Sequence, residues 1–355
     1  MPYLRNAWYA AAWAREVGQT PFRRTLLDEP VVMFRKRDGE AIALSNICPH
    51  RFGPLHLGAV IEDTIECPYH GLRFNTEGFC VFNPDGDGHV PPGARLKRYP
   101  LLERYGTLWI WMGQAKADSS KLPDFSFLAD DRYRPITGLI GVRANYQFVL
   151  DNLLDAAHVA KVHHDTLASP SITRAKSEVE LRGNSIWVNR WCPQGELAPI
   201  WKMMWAMDRG PADPAQLFDQ WVNAGWDAPA LVTSDLMVTR AGESMEQGLR
   251  TLASHFLTPE TESKTHYFWS ICRNFKLVDA ELDQQIRAGT EYAFVEQDER
   301  MLRAIQEQVG GRDFWSLRPM LLHADKGPAR VRRTLDEMIA AEAEARPISM
   351  AASTA

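Results

Sequence analysis

Cys48-Pro49-His50 and, after sixteen intervening residues, Cys67-Pro68-Tyr69-His70 place two thiols and two imidazoles in two short clusters. A tetrahedral zinc would accept those four atoms. One histidine per cluster, C-x-H first and C-x-x-H second, fits a different arrangement. Two hairpin-like loops would grip opposite irons of a [2Fe–2S] cluster, cysteines on one iron and histidines on the other. Neutral imidazoles in place of thiolates raise the potential of such a cluster, which suits an electron relay.

A relay does no chemistry on a substrate, so a second centre is required. The stretch from Asp151 to His164 supplies one, with two carboxylates and a cluster of imidazoles in fourteen residues. On a helix around Tyr146 to Val162, Asp151, Asp155 and His158 lie at i, i+4 and i+7 on one face. His163 follows His158 by five positions, about 140° round a regular helix. For both to meet one metal, the helix must widen or end between them. Leu153, Leu154, Ala157 and Val162 mark the segment as buried, where polar groups need partners. The alternative is a polar helix face with incidental histidines.

Two histidines and a carboxylate around iron(II) leave positions open for O₂ and substrate, so a third ligand is expected elsewhere. Asp298 fits: Phe294, Met301 and Ile305 put it on an apolar stripe, where a carboxylate is costly without a cation. Glu291 is the second candidate, while Glu296 and Glu299 read as solvated.

The elements that must position these groups fall into two parts. Short β segments at Val31–Leu44 and Leu101–Met112 make the first third all-β. The polar, proline-bearing stretch 113–135 reads as a connection. The predicted division is 1–118 and 119–345, with RPISMAASTA, 346–355, a frayed tail. The second part mixes strands near Ser185–Trp191 and His266–Cys272 with a long helix over Ala280–Val309 and another at Ala329–Ala343.

At 355 residues, two domains are expected. A net charge of −5 gives no basic excess for a phosphate backbone, so no nucleic-acid partner is expected. Arg15 and Glu16 interrupt the N-terminal apolar patch too early for a signal or a membrane span, which predicts a cytoplasmic protein. Five cysteines, an odd number, argue against a disulfide framework. Cys80, Cys192 and Cys272 read as small hydrophobic residues, and His56 and His89 as loop residues.

CPHRFGPL and CPYHGLRFNTEG, with the Gly53 and Gly71 turns, closely resemble the two loops of the Rieske family. D-N-L-L-D-x-x-H-x-x-x-x-H, HFLTPETESKTHYFW, SICRNF and the N-terminal RNAWYAAAW resemble the vanillate and dicamba O-demethylase oxygenases over nearly the whole chain. The resemblance implies an α+β protein, with an all-β Rieske domain followed by a helix-grip domain whose antiparallel sheet wraps a long helix. It implies that Cys48 and Cys67 hold one iron of a [2Fe–2S] cluster and His50 and His70 the other. His158, His163 and Asp298 would bind a mononuclear Fe(II), with Asn152 close by. It further implies a head-to-tail homotrimer in which Asp155 bridges to His70 of the partner subunit. A buried aspartate paired with an arginine is the alternative for Asp155.

By the same resemblance His255 is a pocket residue that meets a substrate carboxylate, although a satisfied core histidine has the same appearance. Gly289 stands where relatives that take chlorinated substrates carry tryptophan, which leaves more room. The Trp- and Met-rich tract 199–227 either walls the pocket or forms ordinary core. The expected activity is O₂-dependent O-demethylation of a vanillate-like aromatic acid, with ring-methyl hydroxylation or N-demethylation as alternatives. A pure Rieske electron carrier or a zinc-stabilised binding protein would have no use for Asp155, His158, His163 and Asp298. No G-x-G-x-x-G fingerprint follows a strand, so NAD(P)H oxidation is assigned to a separate flavin/iron–sulfur reductase or ferredoxin system.

Overall fold

The computed structural model describes residues 3–345, so the tail at 346–355 lies outside the described residues. The N-terminal part is all-β. Strands Phe22–Leu26, Glu29–Arg35, Ala41–Ser45 and Arg98–Tyr99 form one sheet, and Ala59–Ile61, Thr64–Glu66, Arg73–Phe74 and Cys80–Phe82 a second. Val32, Phe34, Ile42, Leu44, Leu55, Ile65, Phe74 and Leu96 form the core they share, and Cys48 and Cys67 belong to it.

A third sheet, Trp8–Trp13, Thr107–Trp111 and Leu101–Arg104, faces the C-terminal part. That part is built on seven antiparallel strands in the order 134–142, 264–273, 249–261, 231–240, 218–227, 185–195, 177–182. Both faces of its central strands are covered, and the period of two along a strand divides the labour. Phe256 and Phe268 face the N-terminal part, where Trp109 lies 4.7 Å from Phe256 and Trp13 lies 5.8 Å from Phe268. Their neighbours His255 and Tyr267 face the opposite way, towards the helices. Thr258 donates to the Ala10 carbonyl at 2.8 Å, and the Leu27 amide donates to that of Pro259, which ties the two parts together.

Among the described residues seven α-helices cover the inner face: α1 Tyr146–Leu154, α2 Val159–Val162, α3 Pro170–Arg174, α4 Pro199–Arg209, α5 Ala280–Glu291, α6 Arg300–Val309 and α7 Lys326–Glu344. α5 and α6 are one continuous rod joined by a π-helical segment, Tyr292–Glu299, which is the long helix the periodicity predicts. Among the described residues no helix is long and apolar enough to cross a membrane.

The expected helix over 146–162 is broken. α1 ends at Asp155, whose backbone is extended and whose Oδ1 accepts from the Ala157 amide at 2.7 Å. This local side-chain bond competes with helix continuation. Asp151, Asp155 and His158 therefore do not share one helical face, and the break falls before His158 instead of after it.

Candidate metal centres and the cavity between the helices

The two cysteine loops share one backbone pattern. The Cys48 amide bonds the Gly53 carbonyl and the Phe52 amide bonds that of Cys48; Cys67 repeats both bonds with Leu72 and Gly71. Phe52 and Gly71 occupy the left-handed position of each loop, at φ 58° and 72°. The predicted Gly53 turn is thus a Phe52 turn. Glycine at 53 serves a different need, since a Cβ there would sit 3.3 Å from Cys67 Sγ.

Cys48 and Cys67 are buried while His50 and His70 are exposed, with their rings 4.5 Å apart. Burial pushes the Cys48 thiol up to about 11, and the adjacent Cys67 adds to the effect. So buried, the Cys48 thiol stays protonated unless a cation lies beside it. That donor set, thiols inside and imidazoles outside, fits a [2Fe–2S] cluster whose histidine-bound iron faces outward.

His158, His163 and Asp298 each bring one donor atom within 4.8 Å of the others, the two histidines from either end of α2 and the aspartate from the π-helical segment. Asp298 Oδ1 lies 3.1 Å from His163 Nε2 and 3.6 Å from His158 Nε2. The outer nitrogens fix the tautomers. His158 Nδ1 bonds the Asp155 backbone carbonyl, and His163 Nδ1 lies 2.7 Å from Gln297 Oε1. A carbonyl oxygen only accepts, so each Nδ1 carries the proton and each Nε2 presents its lone pair to the centre. Asn152 Nδ2 donates to Asp298 Oδ1 at 2.9 Å and lies 3.3 Å from His158 Nε2.

Burial holds the pKa of His158 below the usual imidazole value. Burial acts the same way on His163, but the hydrogen bond and charge of Asp298, with Gln297 and Asp165, together outweigh it and leave the pKa raised. Two neutral-capable imidazoles and one buried carboxylate on one side of a cavity fit iron(II) with open positions. The π-helical segment turns both Asp298 and Glu299 inward. Glu299 is therefore buried and bonded to Arg143 at 2.9 Å, not solvated, whereas Met301 and Ile305 are exposed. Glu291 is exposed and pairs with Arg287. His164 is exposed too.

The donors open on a cavity of about 220 Å³. Its lining is mainly apolar, including Ile200, Trp201, Met204, Leu236, Ile286 and Phe294, and it contains no lysine or arginine. The tract 199–227 serves both expected roles: Trp201 and Met204 wall the cavity, while Trp205 and Trp226 are core. Gly289 lines the cavity, with Ile200 Cδ1 3.8 Å from where its Cβ would lie. His255 also lines it, between Tyr267 Oη at 2.7 Å and Ser234 Oγ at 3.1 Å. Burial pushes His255 down to about 3 and keeps the Tyr267 phenol protonated. A neutral His255 carries one N–H, so it donates to one of Tyr267 Oη and Ser234 Oγ and accepts from the other.

Gln297, Ser234 and Tyr267 carry no spacing signal in the sequence. Only their alternation with Asp298 and His255 along known elements could have drawn attention to them. Asp155 is partly exposed at the break after α1, beside His158 and at the cavity edge.

The family model described as the vanillate O-demethylase oxygenase C-terminal domain matches residues 142–341, and the Rieske [2Fe-2S] domain model matches residues 7–100. The oxygenase component of chloroacetanilide N-alkylformylase from Rhizorhabdus wittichii is 38% identical, covering 99% of this chain and 99% of that protein. That of dicamba O-demethylase from Stenotrophomonas maltophilia is 35% identical, covering 97% of this chain and 100% of that protein. The crystal structure of dicamba monooxygenase bound to 3,6-dichlorosalicylic acid superposes with a TM-score of 0.90 at 34% identity, covering 98% of this chain and 100% of that one.

Proposed function

The chain belongs to the Rieske non-haem iron oxygenases, among the vanillate and dicamba O-demethylase oxygenase components, and from that membership we propose that it O-demethylates a methoxylated aromatic acid. It is the oxygenase component of a multicomponent monooxygenase with a Rieske [2Fe–2S] cluster and a mononuclear iron, and it works with separate partner components. The partner we infer is a flavin/iron–sulfur reductase or a ferredoxin, through which electrons pass from NAD(P)H. The observation that carries the substrate reading is the convergence of His158, His163 and Asp298 on a mainly apolar cavity that also contains two neutral hydrogen-bond donors, His255 and Ser234.

In this reading Cys48, Cys67, His50 and His70 hold the cluster in a domain comprising residues 1–118. His158, His163 and Asp298 hold the iron in a domain comprising 119–345, and Asn152 steadies Asp298. When bound, the iron supplies O₂ activation at its open positions. The apolar walls hold the aromatic ring with its methoxy carbon towards the three ligands and exclude water. Hydroxylation of that carbon consumes O₂, two electrons and two protons, releases water, and gives a hemiacetal that falls apart to a phenol and formaldehyde. With no lysine or arginine among the described residues that line the cavity, a substrate carboxylate is held by the Ser234 hydroxyl, itself supported by His255, rather than by an ion pair.

The cytoplasm is the expected compartment. The assembly we infer is a head-to-tail homotrimer, with Asp155 hydrogen-bonding the outer nitrogen of His70 of the partner subunit. Three exposures support it: His50 and His70 are open, Phe52 and Tyr69 beside them are 78% and 60% exposed, and Asp155 reaches the surface beside His158.

The test supplies a compatible reductase, NADH, O₂ and a panel of methoxybenzoates including vanillate. Formaldehyde should appear in proportion to phenol, and His255→Ala should raise KM for the acid far more than it lowers kcat. If no methoxybenzoate yields formaldehyde while an aryl-methyl or N-alkyl compound is turned over, the choice of reaction is wrong although the family stands.

A further inference from the structure

We propose that Gln297 is a positioning residue for the mononuclear iron, acting through His163, and that Asp165 sets the direction in which its amide faces. The inference rests on the reading of His163 as an iron ligand. A side-chain amide has one accepting end and one donating end, and which end meets an imidazole decides where the imidazole's own proton sits. Here the two ends have different partners. Gln297 Nε2 donates to Asp165 Oδ1 at 2.9 Å, the carboxylate oxygen accepting. The oxygen end must therefore face inward, where His163 Nδ1 lies at 2.7 Å and Thr166 Oγ1 adds a donor at 3.3 Å.

The consequence for His163 is a fixed tautomer. Nδ1 keeps its proton, and Nε2 turns its lone pair to the point it shares with Asp298 and His158. The flipped amide would present N–H to Nδ1 and drive the proton to Nε2, which cannot then bind a metal. Gln297 thus does by a side chain what the Asp155 backbone carbonyl does for His158. The difference matters because a side-chain amide can rotate, and Asp165 is what opposes the rotation. The π-helical segment makes this possible by carrying a ligand and its neighbour's support on successive residues, Asp298 and Gln297.

Removing the outer hydrogen bond to a metal-bound histidine typically costs roughly 10- to 100-fold in metal affinity. Fe(II) binding to the cluster-loaded protein from which the mononuclear iron has been removed should weaken by about that factor in Gln297→Met, with the Rieske visible spectrum unchanged. The electron paramagnetic resonance signal of the nitric oxide adduct should also change rhombicity. Gln297→Glu alone sets two carboxylates against each other and should bind iron poorly. Combining it with Asp165→Asn exchanges the acid and the amide, restores both hydrogen bonds, and should recover affinity to within about threefold of the parent.

Parent-like affinity and an unchanged nitric oxide signal in Gln297→Met would overturn the proposal, as would failure of the exchanged pair to recover. Should Gln297→Met not fold, Asp165→Ala reads the same relay from an exposed position, and parent-like affinity there overturns it equally. His163→Ala separates the two levels. If it retains iron, the ligand reading is at fault; if it loses iron while Gln297→Met does not, only the relay fails.

Discussion

Arg332 on α7 grips Asp151 on α1 through Nε and Nη2, with contacts of 2.6 to 2.9 Å, one helical turn before the chain breaks at Asp155. Its Nη1 donates to Gln147 Oε1 at 2.7 Å, and the guanidinium lies over the rings of Phe148 and Phe314. Arg332 is only 2% exposed, so this pair anchors the last turn of α1, from which Asn152 and Asp155 project. An arginine of this kind is the partner expected for a buried aspartate in the segment, but it selects Asp151 and leaves Asp155 free for another role.

Asp151→Ala should therefore destabilise the protein by about 3–5 kcal/mol, because it strands a buried cation. Arg332→Met, which retains the stacking volume, should cost less while loosening the end of α1. Chemical denaturation of both variants measures the difference. Equal and small losses would show that the pair does not anchor α1.

Asp155→Asn should keep both metal centres and slow turnover sharply. Its Oδ1 can still accept from the Ala157 amide, so the break after α1 persists, while the negative charge proposed to meet His70 of the partner subunit is lost. Stopped-flow reoxidation of the reduced cluster by O₂ with substrate present reads this step alone. Reoxidation at the parent rate would remove Asp155 from electron transfer.

The two centres should be separable. Cys48→Ser or His70→Ala should abolish the Rieske visible spectrum, whereas His163→Ala or Asp298→Ala should keep it and lose mononuclear iron and activity. His164→Ala is the control, since His164 is exposed and outside the cluster of donors. Iron and sulfide analysis beside the visible spectrum decides it. Loss of mononuclear iron in His164→Ala with retention in His163→Ala would mean that the ligand assignment is off by one residue.

Cysteine, histidine and aspartate at those spacings stand out in the sequence because they have few other uses, and the structure brings His158, His163 and Asp298 within 4.8 Å of one another. Local backbone events were not legible. The Asx-type bond from Asp155 to Ala157 ends α1 three residues before His158, and periodicity counts on through such a break. The π-helical segment shifts the phase of the long helix, so the stripe through Asp298, Met301 and Ile305 that regular periodicity predicts does not form, and Glu299 is buried while Met301 and Ile305 are exposed. Phe52 was missed as a left-handed residue because glycine at 53 looks like the turn residue, although it is needed there for closeness to Cys67. The supporting residues Gln297, Tyr267 and Arg332 are far in sequence from the groups they orient, and no local pattern announces them.

Burial of a neutral His255 makes stability depend on pH. Its folded pKa, about 3, lies below the unfolded value near 6.5, so the unfolded chain binds the extra proton between those limits. The contribution is fully present above the unfolded pKa and is lost as pH falls towards the folded one. Between pH 8 and pH 5.5 that one group should remove roughly 1.4 kcal/mol. His255→Gln supplies a neutral amide to Tyr267 and Ser234 but takes up no proton, so it should be less stable than the parent at pH 8 and lose less on acidification. His266 is also depressed by burial, but it is common to both proteins and cancels in the comparison. Urea unfolding at several pH values, followed by tryptophan fluorescence, gives both curves. Parallel curves would mean that burial does not depress the pKa of His255, so that it takes up its proton in the folded state near 6.5 and is a neutral residue only above that pH.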